Sequence, residues 1–212
     1  KITYSFISNT DFQGTYNFSE FSKDNLTING LEIQLPFGGN AMAQNGLAAY
    51  SVASYLGISD NIIKEAIESF NAPPGRGQVY QLNDCIIFDD TYNANPASVK
   101  AGIKLLSDFK SKNRRIVVIG DMLELGEKSA ELHGELGEFI SEFSIDAVFA
   151  FGKLTKFTVE TLQEKGIDSW YFSDQQELSQ HLESFIQSGD IIYFKGSRSM
   201  HMEDIIKQVF KN

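Results

Sequence analysis

Cys85-Ile-Ile-Phe-Asp-Asp-Thr-Tyr-Asn-Ala-Asn-Pro96 passes in quick succession from an apolar run to a polar turn to the opening of a helical pattern. Cys85 to Phe88 are β-formers without a polar break, as expected of a strand buried on both faces. Asp89 and Asp90 sit where that strand ends. Asn95 is a favoured N-cap, and Pro96, with its fixed φ and missing N–H, suits the first helical position. Val99, Ile103 and Leu106 then recur at helical spacing through Phe109, leaving Lys100 and Lys104 to solvent. Strand, polar turn and helix follow one another, and in open α/β sheets ligands bind beyond the carboxyl ends of the strands.

Downstream the same alternation repeats. Strand-like runs at Arg115 to Gly120, Ala147 to Phe151, Trp170 to Phe172 and Ile191 to Phe194 are separated by helical patterns. Such alternation predicts a mainly parallel, doubly wound, Rossmann-like α/β sheet over residues 78–212. One helix is expected to bury Leu132, Leu136, Phe139, Ile140 and Phe143. Ser173-Asp-Gln-Gln176 has capping-box spacing ahead of Leu178, Leu182, Phe185 and Ile186. The last helix carries Met202, Ile205, Ile206 and Val209.

Upstream, Asn71-Ala-Pro-Pro-Gly-Arg-Gly77 can continue neither helix nor strand, so residues 74–77 read as a hinge linker. Residues 1–73 form a different kind of unit. Ile2 to Ile7 and Thr15 to Phe21 read as strands with Gly14 as the turn former between them. Asn29-Gly30 between two alternating runs is a strong hairpin signal, so antiparallel structure is expected. After the Gly38-Gly39 pair, Ala41 to Leu56 reads as a closely packed helix. A second helix, capped by Ser59, should bury Ile63, Ala66, Ile67 and Phe70.

Composition narrows the function classes. A net charge of −10 over 212 residues, without a Lys/Arg cluster, argues against a nucleic-acid partner. The single cysteine, Cys85, lies within a predicted buried strand, so neither a disulfide framework nor a thiolate metal site is expected and no metal ligands are assigned. No signal peptide or run of about 20 apolar residues is visible, so no membrane partner is expected and a cytoplasmic setting fits. The chain opens at Lys1 directly in strand-like sequence, which suggests a fragment of something longer.

Three predicted strand ends carry polar residues and should lie along one sheet edge: Asp89-Asp90-Thr-Tyr-Asn-Ala-Asn95, Gly120-Asp121-Met-Leu-Glu-Leu-Gly126 and Lys195-Gly-Ser-Arg198. Carboxylates can hold ribose hydroxyls or a metal, amides can read a base, and Lys with Arg can hold phosphate or carboxylate oxygens. Any one of the acidic residues could equally cap a helix or solvate a loop. Together, however, they describe a nucleotide or anion site.

These motifs, with Pro74-Gly75-Arg76, Leu132-His133, Gly137 and Met202-Glu203, resemble the Mur ligase family, in particular its D-alanyl-D-alanine-adding branch. The resemblance runs from the end of the family's central ATPase domain through its C-terminal domain. It implies an ATP- and Mg²⁺-dependent ligase. In such an enzyme the carboxylate of UDP-N-acetylmuramoyl-tripeptide is phosphorylated, and the amine of D-alanyl-D-alanine attacks the acyl phosphate in peptidoglycan precursor synthesis. By resemblance, Asp90 should hold the ATP ribose, Arg76 should sit near the phosphates, and Tyr92, Asn93 and Asn95 should line the same crevice. Lys195, Ser197 and Arg198 fall to the dipeptide carboxylate or acyl phosphate, with Asp121 and His133 as further substrate-side candidates. Lys195 and Arg76 are the catalytic candidates, and a monomer is implied. For Arg76 the alternative is a simple linker charge; for His133 it is a structural role beside an apolar helix face. His181 and His201 read as surface residues.

Two departures stand out. The family's usual His-Asn pair at the helix opening is replaced by Ala41-Met42, although Asn45, one turn on, matches and is kept as a cofactor-binding candidate. The chain also contains no Gly-x-x-x-x-Gly-Lys-Ser/Thr loop, whose amides and lysine hold the triphosphate, so this stretch alone should be catalytically incompetent and Mg²⁺ ligands are expected mainly elsewhere. Two other classes are open. One is a nucleotide-binding module without ligase activity. The other is a phospho-acceptor receiver-like domain, which Asp89-Asp90 and Lys195 mimic, but which needs an aspartate where Phe151-Gly152-Lys153 stands.

Overall fold

The computed structural model describes residues 1–17, 24–36, 39–109 and 112–210. The chain divides into two compact units, Lys1–Ala72 and Pro73–Asn212. Among the described residues no helix is long and apolar enough to cross a membrane.

In the first unit β1 (Tyr4–Ser5), β2 (Phe12–Asn17), β3 (Asn25–Ile28) and β4 (Leu31–Gln34) form a sheet in that order. Asn29 and Gly30 both take positive φ, 48° and 87°, and close the β3–β4 hairpin with Ile28 opposite Leu31. Leu26, Ile28, Ile33 and Leu35 are fully buried against Ala43, Leu47 and Tyr50 of α1 (Asn40–Tyr55) and Ile63 and Ile67 of α2 (Asp60–Glu68).

Several expectations need correcting in this unit. The first strand shrinks to Tyr4–Ser5 and pairs parallel with β2, while β2, β3 and β4 are antiparallel. Gly14 is not a turn but lies inside β2, where a Cβ would stand 2.7 Å from the Phe6 ring. Ala66 and Phe70 are exposed rather than buried, because only Ile63 and Ile67 fall on the face of α2 that meets the sheet. Ser59 stands at the N-cap of α2 without a capping side-chain bond. The expected strand residues 18–21, and Gly38, lie outside the described residues.

The second unit is the doubly wound α/β domain. Its elements are β5 (Gln78–Leu82), β6 (Cys85–Asp89), α3 (Pro96–Asp108), β7 (Arg115–Gly120), α4 (Ser129–Ser141), β8 (Ala147–Phe151), α5 (Thr155–Glu164), β9 (Ser169–Phe172), α6 (Gln175–Phe185), β10 (Ile191–Lys195) and α7 (Met202–Phe210). The sheet order is β5-β6-β10-β7-β8-β9, parallel throughout except for the edge strand β5. Leu178 and Leu182 of α6, with Met202, Ile205, Ile206 and Val209 of α7, cover Ile116, Val118, Ile192 and Phe194 on one face. Alternate residues point to the other face, where α3 packs on β10 and β7, and α4 and α5 pack together.

β5 is an addition to the sequence reading: Asn83 and Asp84, both at positive φ, turn it into β6. Asp174, not Ser173, caps α6, accepting the Glu177 N–H at 2.9 Å. The buried stripe of α4 is His133, Leu136, Gly137 and Ile140; Leu132 and Phe139 are half-buried, and Phe143 lies beyond the helix.

The amino-terminal end of the sheet is fastened by two arginines. Arg114 holds buried Asp190 through Nη2 at 2.6 Å and Nε at 2.9 Å, and Arg115 donates to the carbonyls of Leu106 and Phe109 at the end of α3.

Candidate functional site

The last strand to form in sequence, β10, lies between β6 and β7, so the segments that leave these three strands share the carboxyl edge of the sheet. This is a topological switch point, where open parallel sheets bind their ligands. Asp90 N donates to the Phe194 carbonyl at 3.0 Å and Ser197 N to the Asp121 carbonyl at 3.0 Å. A Cβ on Gly196 would lie 3.1 Å from the Gly120 Cα, so the β7 and β10 exits approach as closely as backbones can.

Lys195, only 2% exposed, forms an ion pair with Asp90 Oδ2, and the Tyr193 hydroxyl donates to the same oxygen at 3.3 Å. Burial pushes the Asp90 carboxyl above its ordinary value, while the Lys195 charge opposes that shift. Burial likewise draws the Lys195 ammonium below its ordinary value, against the pull of Asp90. A pair with a buried lysine and a half-buried carboxylate depends on both partners, since either charge left alone is unfavourable. Neighbouring Asp89 points elsewhere, accepting from the Thr91 hydroxyl at 2.7 Å and the Tyr80 hydroxyl at 3.4 Å.

Beside the pair stands a cationic cluster around one ring. The Tyr92 side chain is 43% exposed, with the Arg76 guanidinium 3.8 Å from its ring centroid and the Arg198 guanidinium at 6.0 Å. Stacking of this sort orients a guanidinium while leaving its N–H groups free to bind anions. Tyr92 N donates to the Gly75 carbonyl at 2.9 Å, which fastens the segment carrying Arg76 to the β6 turn. Arg198 Nη1 donates to Glu203 Oε1 at 2.8 Å. Ser197 Oγ accepts the Leu123 N–H at 2.8 Å, so its own hydroxyl proton is available to a ligand.

Asp121, His133, Asn95 and Asn93 make bonds within the fold. Asp121 is buried, and its Oδ1 accepts the N–H groups of Leu154 and Thr155, each at 2.9 Å, at the start of α5. His133 is fully buried: Nε2 accepts the Met122 N–H at 3.0 Å, so Nδ1 carries the proton and donates to the Ser129 carbonyl at 2.6 Å. Asn95 forms a capping box with Ser98, and the Asn93 side chain accepts the Ala94 N–H at 2.9 Å; both are exposed at the same turn. Asn45 is exposed on α1 in the first unit. His181 and His201 are exposed. Among the described residues no group of three or more His, Cys, Asp or Glu side chains could hold a metal ion. Tyr193 is a site residue that sequence reasoning did not single out, and Glu203, quoted there only within a motif, is placed by its bond to Arg198. In the apolar run Ile191-Ile-Tyr-Phe194 the phenol was the only polar tip, and so the only signal.

The family described as Mur ligase, glutamate ligase domain, matches residues 75–198, which include Arg76, Asp90, Tyr92, Lys195 and Arg198. The chain is 33% identical over 193 residues to the UDP-N-acetylmuramoyl-tripeptide--D-alanyl-D-alanine ligase of Bacillus subtilis, covering 88% of this chain and 42% of that protein. It is 31% identical over 206 residues to the Escherichia coli protein of the same name, covering 96% and 44%. A crystal structure of MurF from Acinetobacter baumannii superposes with a TM-score of 0.89 at 27% identity, over 100% of this chain and 47% of that one. The chain thus spans less than half the length of these relatives. With more than half of its residues inside that family match, and the polar sheet edge built from the matched segment, the chain belongs to the Mur ligase family.

Proposed function

We propose that this chain is the carboxyl-terminal portion of an ATP-dependent amide-forming ligase that joins D-alanyl-D-alanine to UDP-N-acetylmuramoyl-tripeptide in the cytoplasm. On this reading residues 1–73 end the central ATP-binding domain, residues 74–77 link it onward, and residues 78–212 are the carboxyl-terminal ligase domain. The observation that carries the reading is the Lys195–Asp90 pair at the switch point, flanked by Arg76, Tyr92 and Arg198.

The side chains suit a nucleotide and an acyl phosphate. Asp90 Oδ1, to which no described residue donates, is the natural acceptor for a ribose hydroxyl. Arg76 and Arg198, both set against the Tyr92 ring, can bind phosphate or carboxylate oxygens. Lys195 places a cation at a water-poor edge, where charge developing on a transferred phosphoryl group is stabilised more than in bulk water. The Ser197 hydroxyl can donate to the same oxygens. ATP supplies the phosphoryl group that activates the tripeptide carboxylate for attack by the dipeptide amine. Among the described residues no carboxylate cluster is available to Mg²⁺.

In the full-length protein, phosphate release should require both UDP-N-acetylmuramoyl-tripeptide and D-alanyl-D-alanine, and Asp90→Ala should weaken ATP affinity sharply. Phosphate release indifferent to the dipeptide, or unchanged ATP affinity by calorimetry, would defeat the reading.

A further inference from the structure

Tyr193 stands in the middle of the central strand β10 and is 2% exposed. A phenylalanine would fill that apolar layer as well, and a buried phenol is usually present because its hydroxyl has a partner. That partner is Asp90 Oδ2, at 3.3 Å, the oxygen that Lys195 also holds. Space for the hydroxyl comes from Gly102 of α3, where a Cβ would stand only 2.0 Å from it. The terminal torsion of an aspartate is broad and roughly two-fold, so a lone cation can hold the carboxylate in more than one orientation. Two donors converging on Oδ2 from one strand remove that freedom and leave Oδ1 as the outward oxygen.

We infer that Tyr193 is a positioning residue for nucleotide selection: by holding Oδ2 with Lys195, it presents Asp90 Oδ1 to a ribose hydroxyl at a fixed angle. The inference rests on the proposed role of Asp90, and its test separates the two.

The test compares full-length wild type, Tyr193→Phe and Asp90→Asn by calorimetric affinity for ATP, 2′-deoxy-ATP and 3′-deoxy-ATP. Wild type should prefer ATP over at least one deoxy analogue. Tyr193→Phe should bind that analogue as wild type does but lose about threefold to tenfold for ATP, the span of a single net hydrogen bond, so the preference contracts. A merely structural role would weaken all three nucleotides alike or none, and either result overturns the inference. If Asp90→Asn abolishes the preference while Tyr193→Phe retains it, the ribose reading stands and the inference falls. If Asp90→Asn leaves the preference intact, or wild type has none, the ribose reading itself fails.

Discussion

The backbone N–H of Met122 donates to Nε2 of His133 across 3.0 Å, both residues being almost completely buried. This bond ties the segment leaving β7 to α4, and Leu123, the next residue, donates to Ser197. His133→Ala would strand a buried N–H and open a cavity. It should destabilise the domain by about 2 to 4 kcal/mol in chemical denaturation. A loss within experimental error would show that water or a shifted loop replaces the ring at no cost.

Asp121 is engaged by the N–H groups that open α5. Asp121→Ala should therefore lower stability by about 1 to 2 kcal/mol, as loss of a cap does, while the KM for the dipeptide in the full-length enzyme stays near wild type. A large rise in that KM with unchanged melting temperature would return Asp121 to the substrate side.

The Lys195–Asp90 pair predicts non-additivity. Lys195→Met leaves a half-buried carboxylate unpaired and Asp90→Asn a buried ammonium, so each single variant should lose more than the double variant implies. A coupling energy of about 1 to 3 kcal/mol is expected between contacting charges. Additive losses in a double-mutant cycle would count against the pair.

The same pair gives a pH dependence. Asp90 is already held above its ordinary value by burial, and removing Lys195 takes away the charge that opposes this. A carboxyl with a raised folded-state pKa contributes stability that is present below its unfolded value and is lost as pH rises through the folded one. Lys195→Met should therefore be most destabilised near neutrality and approach wild type as pH falls toward about 4. A constant gap across that range in denaturation midpoints would refute the assignment.

Tyr92 N–H is bonded to the Gly75 carbonyl, and Arg76 stacks on Tyr92. We expect the Tyr92 amide to exchange slowly with and without nucleotide, because the segment 75–76 is fastened to the β6 turn. Rapid exchange at Tyr92 would instead favour a loose linker through residues 74–77.

The parallel strands of the second unit were legible because their apolar runs are uninterrupted, as in Ile116 to Ile119 and Ile191 to Phe194. β5 was not, since an edge strand with half-buried Gln78, Val79 and Tyr80 carries little hydrophobic pattern; its best mark was the Asn83-Asp84 turn. On α4 the buried face includes His133 and Gly137, one polar and one without a side chain, so apolar periodicity drew the stripe one residue off. The polar sheet edge was visible as residue types at strand ends. The difference between Asp90 and Asp121 was not, because it depends on neighbours: Asp90 adjoins β10 and its lysine, whereas Asp121 adjoins β8 and the start of α5. Tertiary pairing, not local spacing, separates a carboxylate held by a lysine and a tyrosine from one held by the N–H groups that open a helix.

The central place of β10 bears on how the domain comes into being during synthesis. Lys195 meets a partner 105 positions earlier in the chain, and β6 and β7 become joined only when β10 enters between them. Long-range parallel pairing of this kind is slow and exposes unpaired strand edges while it waits. The nascent polypeptide must leave the ribosome through β10 before the polar sheet edge is complete, so a chain cut short of β10 would yield an aggregation-prone, ligand-blind product rather than a partly active one.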